Sequence, residues 1–305
     1  MNDYLTFVIG IVCAGIGGEL FVRGAVGLAH WARVSAGIIG ATVAAFATSS
    51  PELAVAVNSA LAGEPQISLG DVLGSNVVNV ALILGLALVI SGIHCSRDSV
   101  RRDFPVALVV PILLGLLLLD GRLSRIDGAF LMAVFLVWLV AAIIEAMRQR
   151  SAVEEVLGES KALLSVVFSI GGLALLVVAG RLIVAGAGNI ARAYGIDDFV
   201  IGATVVAIGT SAPELATTVI AKLRGHDEIG LGTILGSNIY NCLFIVATAS
   251  LLCPIEVAWR EAALALIFGL LSVAFVFPSR RSFIERRRGV LLLVLYAAYL
   301  VAVLQ

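Results

Sequence analysis

Long apolar runs, interrupted by short clusters of charge, glycine or proline, dominate the chain. They fall near residues 4–29, 34–62, 67–91, 104–119, 127–147, 162–191, 197–222, 228–253, 258–277 and 288–304. Runs of this length can cross a hydrocarbon layer as helices, because each residue rises about 1.5 Å and the layer is about 30 Å thick. The pattern predicts ten transmembrane helices, hence an all-α integral membrane protein. The longest polar stretch, Arg148 to Lys161, is too short to fold as a domain. No soluble catalytic or regulatory module is expected.

Composition agrees with this reading. Of 305 residues 60% are hydrophobic and 13% charged, with a mean hydropathy of +1.08, whereas soluble domains carry about 25% charged residues. The 20 basic and 21 acidic residues nearly cancel to a net charge of -1, so no global field favours nucleic acid. The start, Met1-Asn2-Asp3-Tyr4, lacks the basic segment of a cleaved signal, so the first run reads as a retained helix. In alternate loops one side collects 14 Lys and Arg and the other four, Arg122, Arg125, Arg192 and Arg260. The positive-inside rule then puts both termini outside the cytoplasm, in a plasma (cytoplasmic) membrane. Cys13, Cys95, Cys242 and Cys253 show no C-x-x-C spacing and read as reduced thiols. His30, His94 and His226 lie near helix ends and receive no role.

The chain also repeats itself. Residues 38–54, IIGATVAAFATSSPELA, align without gaps on 200–216, VIGATVVAIGTSAPELA, and the same offset carries LGSNVVN (73–79) onto LGSNIYN (235–241). Between 39 and 79, 23 of 41 positions are identical to their partners, which marks an internal duplication. The expected units are 1–147 and 162–305, five helices each, joined by the linker 148–161. Five is an odd number, so the copies cross the membrane in opposite senses. Such inverted repeats set two half-sites face to face near the midplane, the architecture of alternating access.

The repeated motif carries the chemistry. Glu52 and Glu214 fall deep inside apolar spans with no Lys or Arg close in sequence, where an ionised carboxylate costs several kcal/mol unless neutralised. The missing counter-charge reads as a mobile cation. Thr48 and Ser49, and in the second copy Thr210 and Ser211, lie within one helical turn of the glutamates. Pro51 and Pro213 free the carbonyls of Ala47 and Gly209 and predict broken helices. Two carboxylates and two carbonyls offer about six oxygens, the lower end of what calcium takes, and sodium can use the same oxygens. Ser75, Asn79, Ser237 and Asn241 add oxygens aligned on one helical face. For Asn76 and Asn238 an interhelical hydrogen bond and ligation stand equal, so both stay outside the proposed ligand set. Asp71, whose repeat partner is Thr233, reads as a helix-end or interfacial group or as part of a one-sided entry path. Glu19 and Arg181 are repeat equivalents of opposite sign, consistent with a salt bridge or with two snorkelling residues.

At these residues the chain resembles the sodium/calcium exchanger family of the cation/calcium antiporter superfamily, whose two α-repeats carry G-T-S-x-P-E and G-S-N-x-x-N/D signatures. The resemblance covers essentially the whole chain and implies that Glu52 and Glu214 are the central ligands for calcium and sodium. Thr48, Ser49, Thr210, Ser211, Ser75, Ser237, Asn79 and Asn241 would surround them. Two positions depart from the family pattern: Ala47 replaces the usual Gly, and Asn241 stands where the potassium-dependent relatives have Asp, which leaves two carboxylates in the site and makes it more similar to the potassium-independent exchangers. The short linker implies a minimal prokaryotic type. The expected activity is sodium/calcium antiport by alternating access, without a cofactor, an enzymatic reaction or an obligatory protein partner. Calcium/proton exchange, with the glutamates titrating instead of binding sodium, is the alternative. A cation channel fits less well, because channels usually build their pores from several subunits. An intramembrane protease lacks a general base beside Ser49 or Ser211.

Overall fold

The computed structural model describes residues 3–32, 34–61, 63, 65–97, 99–152, 162–193, 207–257, 259–278 and 282–303. These form α1 (Asp3–Ala32), α2 (Ala36–Thr48), α3 (Ser50–Leu61), α4 (Pro65–Val77), α5 (Gly85–Ile90), α6 (Phe104–Leu117), α7 (Arg125–Ala152), α8 (Ala162–Ala193), α9 (Ala207–Thr210), α10 (Ala212–Leu223), α11 (Asp227–Ile239), α12 (Val246–Leu252), α13 (Trp259–Val276) and α14 (Arg286–Val303). Among the described residues five helical stretches are long and apolar enough to cross a bilayer: Asp3–Ala32, Ser68–Ile90, Arg125–Arg148, Ala162–Ala179 and Asp227–Leu252. The pair α2 and α3, bent by 43° at its break, makes a sixth. The runs expected at 104–119, 258–277 and 288–304 coincide with the shorter helices α6, α13 and α14. The run at 197–222 is described only from Ala207 onward.

The breaks sit where the prolines are. Ser49 and Ser211 leave helical geometry in almost the same way, with φ, ψ of -82°, 11° and -81°, 9°. Both lie near the bridge region, which many active-site residues adopt. One feature of the local backbone escapes sequence patterns. The stretches Val78–Leu84 and Tyr240–Ile245, repeat equivalents, are π-helical, and so is Gly40–Ala44 within α2. Such wide turns concentrate at functional sites. Here the first two place Asn79 and Asn241 near their starts.

Two short strand pairs tie the connections together. Ile93–His94 (β1) pairs antiparallel with Phe283–Ile284 (β4), and Arg122–Leu123 (β2) with Ile255–Glu256 (β3). Each pair joins two connections that the alternating-span topology puts on one membrane face. Lys222 adds to this on the β1 side, donating to the Gly92 carbonyl at 2.7 Å and pairing with Asp227 at 3.0 Å. On the other side Arg125 caps the end of α12 through the carbonyls of Leu251 and Leu252.

The middle of the molecule is α4 and α11 with their π-helical continuations, and almost every residue from Ile229 to Ser250 is buried. The most extensive helix pair is α1 with α8. It closes through small residues: a Cβ on Gly172 would lie 2.5 Å from the Phe21 nitrogen. Without a hydrophobic force between helices in lipid, this close backbone approach is what packs them. Glu19 on α1 pairs with Arg23 at 2.5 Å and Arg224 at 2.6 Å, and Arg181 is exposed, which decides the open question about Glu19.

α2 and α11 meet backbone to backbone. A Cβ on Gly236 would meet the Ala41 carbonyl at 2.5 Å and the Ala45 Cβ at 2.7 Å. Gly236→Ala is therefore expected to lower stability by about 1–3 kcal/mol through overpacking. Thermal unfolding of this variant beside the parent protein in detergent checks the expectation.

Candidate functional site

The carboxyl groups of Glu52 and Glu214 lie in the first turns of α3 and α10, directly after the two breaks. Both residues are 0% exposed, and Glu214 acts electrostatically on Glu52. Among the described residues neither forms a salt bridge. The buried basic side chains among the described residues are engaged elsewhere, Lys222 with Asp227 and Arg102 with Asp103. The structure thus joins two like charges in one interior without a basic partner, an arrangement that is costly unless another positive charge is supplied.

The half-sites cross between the repeats. Glu214 Oε1 accepts from Ser49 of the first copy at 3.2 Å and from Ser237 of its own copy at 3.1 Å. Thr48 also faces Glu214. The matching group around Glu52 is looser. Ser211 faces it from beyond hydrogen-bond reach, and both Glu52 oxygens, Ser211 Oγ and Ser75 Oγ are buried without a partner among the described residues. Identical motifs therefore adopt unequal geometries in one conformation.

The asparagines settle a choice that the sequence left open. Asn79 Nδ2 donates to Asn238 Oδ1 at 3.1 Å, and Asn241 Nδ2 donates to Asn76 Oδ1 at 2.9 Å. Asn238 in turn donates to the Asn76 carbonyl at 3.1 Å, while Asn76 donates to Cys242 Sγ at 2.9 Å. Asn76 and Asn238 thus bridge the helices. By taking up the amide hydrogens of Asn79 and Asn241 they leave the Oδ1 atoms of those residues buried and unpartnered. An amide has donor and acceptor ends, and this network engages the donor end of each while its acceptor stays unpartnered among the described residues.

The hydroxyl of Thr48 donates to the Ala45 carbonyl at 3.4 Å, and that of Thr210 shares its one proton between the Ala207 carbonyl at 3.1 Å and Asp71 Oδ1 at 3.3 Å. Their oxygen lone pairs stay free. The Ala47 carbonyl, expected to be released by Pro51, accepts Ser50 Oγ at 2.7 Å. In the second copy Ala212 stands where Ser50 does, so no side-chain hydroxyl competes for the Gly209 carbonyl. The site as a whole presents carboxylate, hydroxyl, amide and carbonyl oxygen, the donor set of hard cations.

The profile described as sodium/calcium exchanger protein matches residues 3–144 and 164–305. The chain belongs to the sodium/calcium exchanger family. Among its relatives, the inner membrane protein YrbG of Escherichia coli is 36% identical over 72% of this chain and 70% of its own. The uncharacterized membrane protein MJ0091 of Methanocaldococcus jannaschii is 35% identical over 95% of this chain and 94% of its own. The sodium-calcium exchanger NCX_Mj, solved after soaking with 2.5 mM Na+ and 10 mM Sr2+, is similar with a TM-score of 0.85 at 33% identity, over 98% of each chain. The family match, the membership of multi-pass membrane proteins and the absence of any cofactor requirement in exchangers agree with the expectations from sequence.

The asparagine bridge carries a prediction. Asn238→Ala removes the acceptor of Asn79 and the donor to the Asn76 carbonyl, leaving buried polar groups unpaired at about 1–3 kcal/mol each. A lower unfolding temperature in detergent, with retained folding at low temperature, is the expected outcome.

Proposed function

We propose that this protein is a secondary antiporter that exchanges sodium for calcium by alternating access at a site centred on Glu52 and Glu214. One observation carries the reading: two fully buried carboxylates, one from each repeat, lack a basic partner among the described residues and face unpartnered oxygens. A transported cation is the missing counter-charge. The names of the relatives support the choice of ions, since NCX_Mj is a sodium-calcium exchanger.

In this reading Glu52 and Glu214 neutralise one calcium or two sodium ions. Ser49, Ser211, Ser75 and Ser237 supply hydroxyl oxygens, and Asn79 and Asn241 their free Oδ1 atoms. Thr48 and Thr210 contribute lone pairs left over from their bonds to the backbone. The carbonyls of Ala47 and Gly209 complete the set, with Ala47 offering one lone pair beside its bond from Ser50. An empty dianionic site is costly to expose to the bilayer interior, which disfavours unloaded return and enforces exchange.

The repeat units 1–147 and 162–305 act as the two halves of the machine. Their unequal geometry is what alternating access requires: Glu214 is held by Ser49 and Ser237, whereas both Glu52 oxygens lack a hydrogen-bond partner among the described residues. Exchanging these two arrangements would move the opening from one face to the other. We place the carrier in the plasma membrane with both termini outside the cytoplasm, following the loop charges. The strand pairs and the Lys222 bond agree with that assignment of loops to faces.

The test is ⁴⁵Ca²⁺ uptake into sodium-loaded proteoliposomes diluted into sodium-free buffer. Uptake that needs the outward sodium gradient and falls at least about 100-fold in Glu52→Gln and Glu214→Gln is expected, because each variant removes one of two charges matched to the cation. Uptake driven equally well by a pH gradient without sodium overturns the sodium reading in favour of proton coupling.

A further inference from the structure

Beside the two glutamates the described residues hold a third carboxylate that the repeat does not duplicate. Asp71, Ser75 and Asn79 recur at four-residue intervals from α4 into the π-helical stretch, so Asp71 shares the face of Ser75 one turn away. The second repeat reads Thr233, Ser237 and Asn241 at the same places. Negative charge is therefore present at this level in one half and absent from the other.

The surroundings point into the ion site. Asp71 Oδ1 accepts from Thr210 Oγ1 at 3.3 Å, and Thr210 directly precedes Ser211. Asp71 Oδ2 is buried without a hydrogen-bond partner among the described residues, although the residue as a whole is partly exposed. Its charge acts on Glu52. Next along the same face, Ser75 Oγ is unpartnered in a residue that is 0% exposed, and so are both oxygens of Glu52. In the opposite half Thr233 is 0% exposed and uncharged. Asp71 lies one turn nearer than Ser75 to the membrane face at which α4 begins.

We propose that Asp71 makes the site sided, drawing divalent cations from the face where α4 begins through a third negative charge on that approach alone. The inference rests on the exchange reading above. A fixed charge acts on a divalent ion with twice the energy it exerts on a monovalent one. Asp71 thus biases that face toward calcium over sodium, while the other face, with Thr233, lacks the bias. The bond from Thr210 holds one carboxylate oxygen and leaves the other free toward the passing ion.

The test compares Asp71→Asn and Thr233→Asp with the parent protein in vesicles sorted into the two orientations. An asparagine at 71 keeps an oxygen for Thr210 and removes only the charge. Half-saturating calcium and its competition by sodium are measured at each face. Asp71→Asn is expected to raise half-saturating calcium about three- to ten-fold at the α4 face, with the opposite face unchanged. Thr233→Asp is expected to lower it at the opposite face. Equal shifts at both faces, no shift at either, or loss of all exchange in Asp71→Asn would overturn the proposal. Failure of the exchange reading looks different: the parent protein would then show no sodium-coupled flux. Calcium–calcium exchange in the same vesicles would still report the sidedness.

Discussion

Two carboxylates of like sign share an interior in which no described basic residue meets them, and the rest of the structure follows from holding them there. Burying one ionised group costs several kcal/mol, and burying two side by side adds their repulsion. A protein that served only stability would place an arginine between them or an apolar side chain instead. Basic residues are instead engaged elsewhere, Lys222 on Asp227 and Gly92, Arg125 on the end of α12, Arg224 on Glu19. Around the glutamates the described interior offers hydroxyl and amide oxygens.

Positioning that place takes several local devices. Proline after serine breaks both site helices and turns the serines out of helical geometry. The π-helical stretches start beside Asn79 and Asn241. The cross-repeat amide pairs then consume the hydrogens of those asparagines and leave their oxygens. Glycines at the α2–α11 contact let backbones approach closely enough to seal one half. Each device is repeated in sequence, yet the two copies do not adopt the same geometry: Glu214 is held by two serines and Glu52 by none. Nearly the same sequence thus stands in two arrangements within one conformation.

Much of this was legible before the structure. The apolar runs predicted a multi-span membrane protein, and the motif around Pro51 and Pro213 predicted both breaks and both buried glutamates. Asn76 and Asn238 were left between two roles, because spacing says which face a side chain is on but not which neighbour it meets. The π-helical turns were illegible, since their residues keep ordinary apolar periodicity and differ only in one extra residue per turn. The strand pairs β1–β4 and β2–β3 were too short to show alternation. Ser50 on the Ala47 carbonyl depends on a rotamer, and the looseness around Glu52 depends on conformation. Sequence identity between the repeats argues against any such difference.

If the missing counter-charge beside the two glutamates is the transported ion, calcium and sodium compete for one place. Calcium binding to the purified protein is measured by equilibrium dialysis across a series of sodium concentrations. One calcium per chain is expected, displaced competitively by sodium with a steeper than first-order dependence, because two monovalent ions replace one divalent. Calcium that stays bound at saturating sodium, or that binds undiminished after both glutamates are replaced by glutamine, would contradict this.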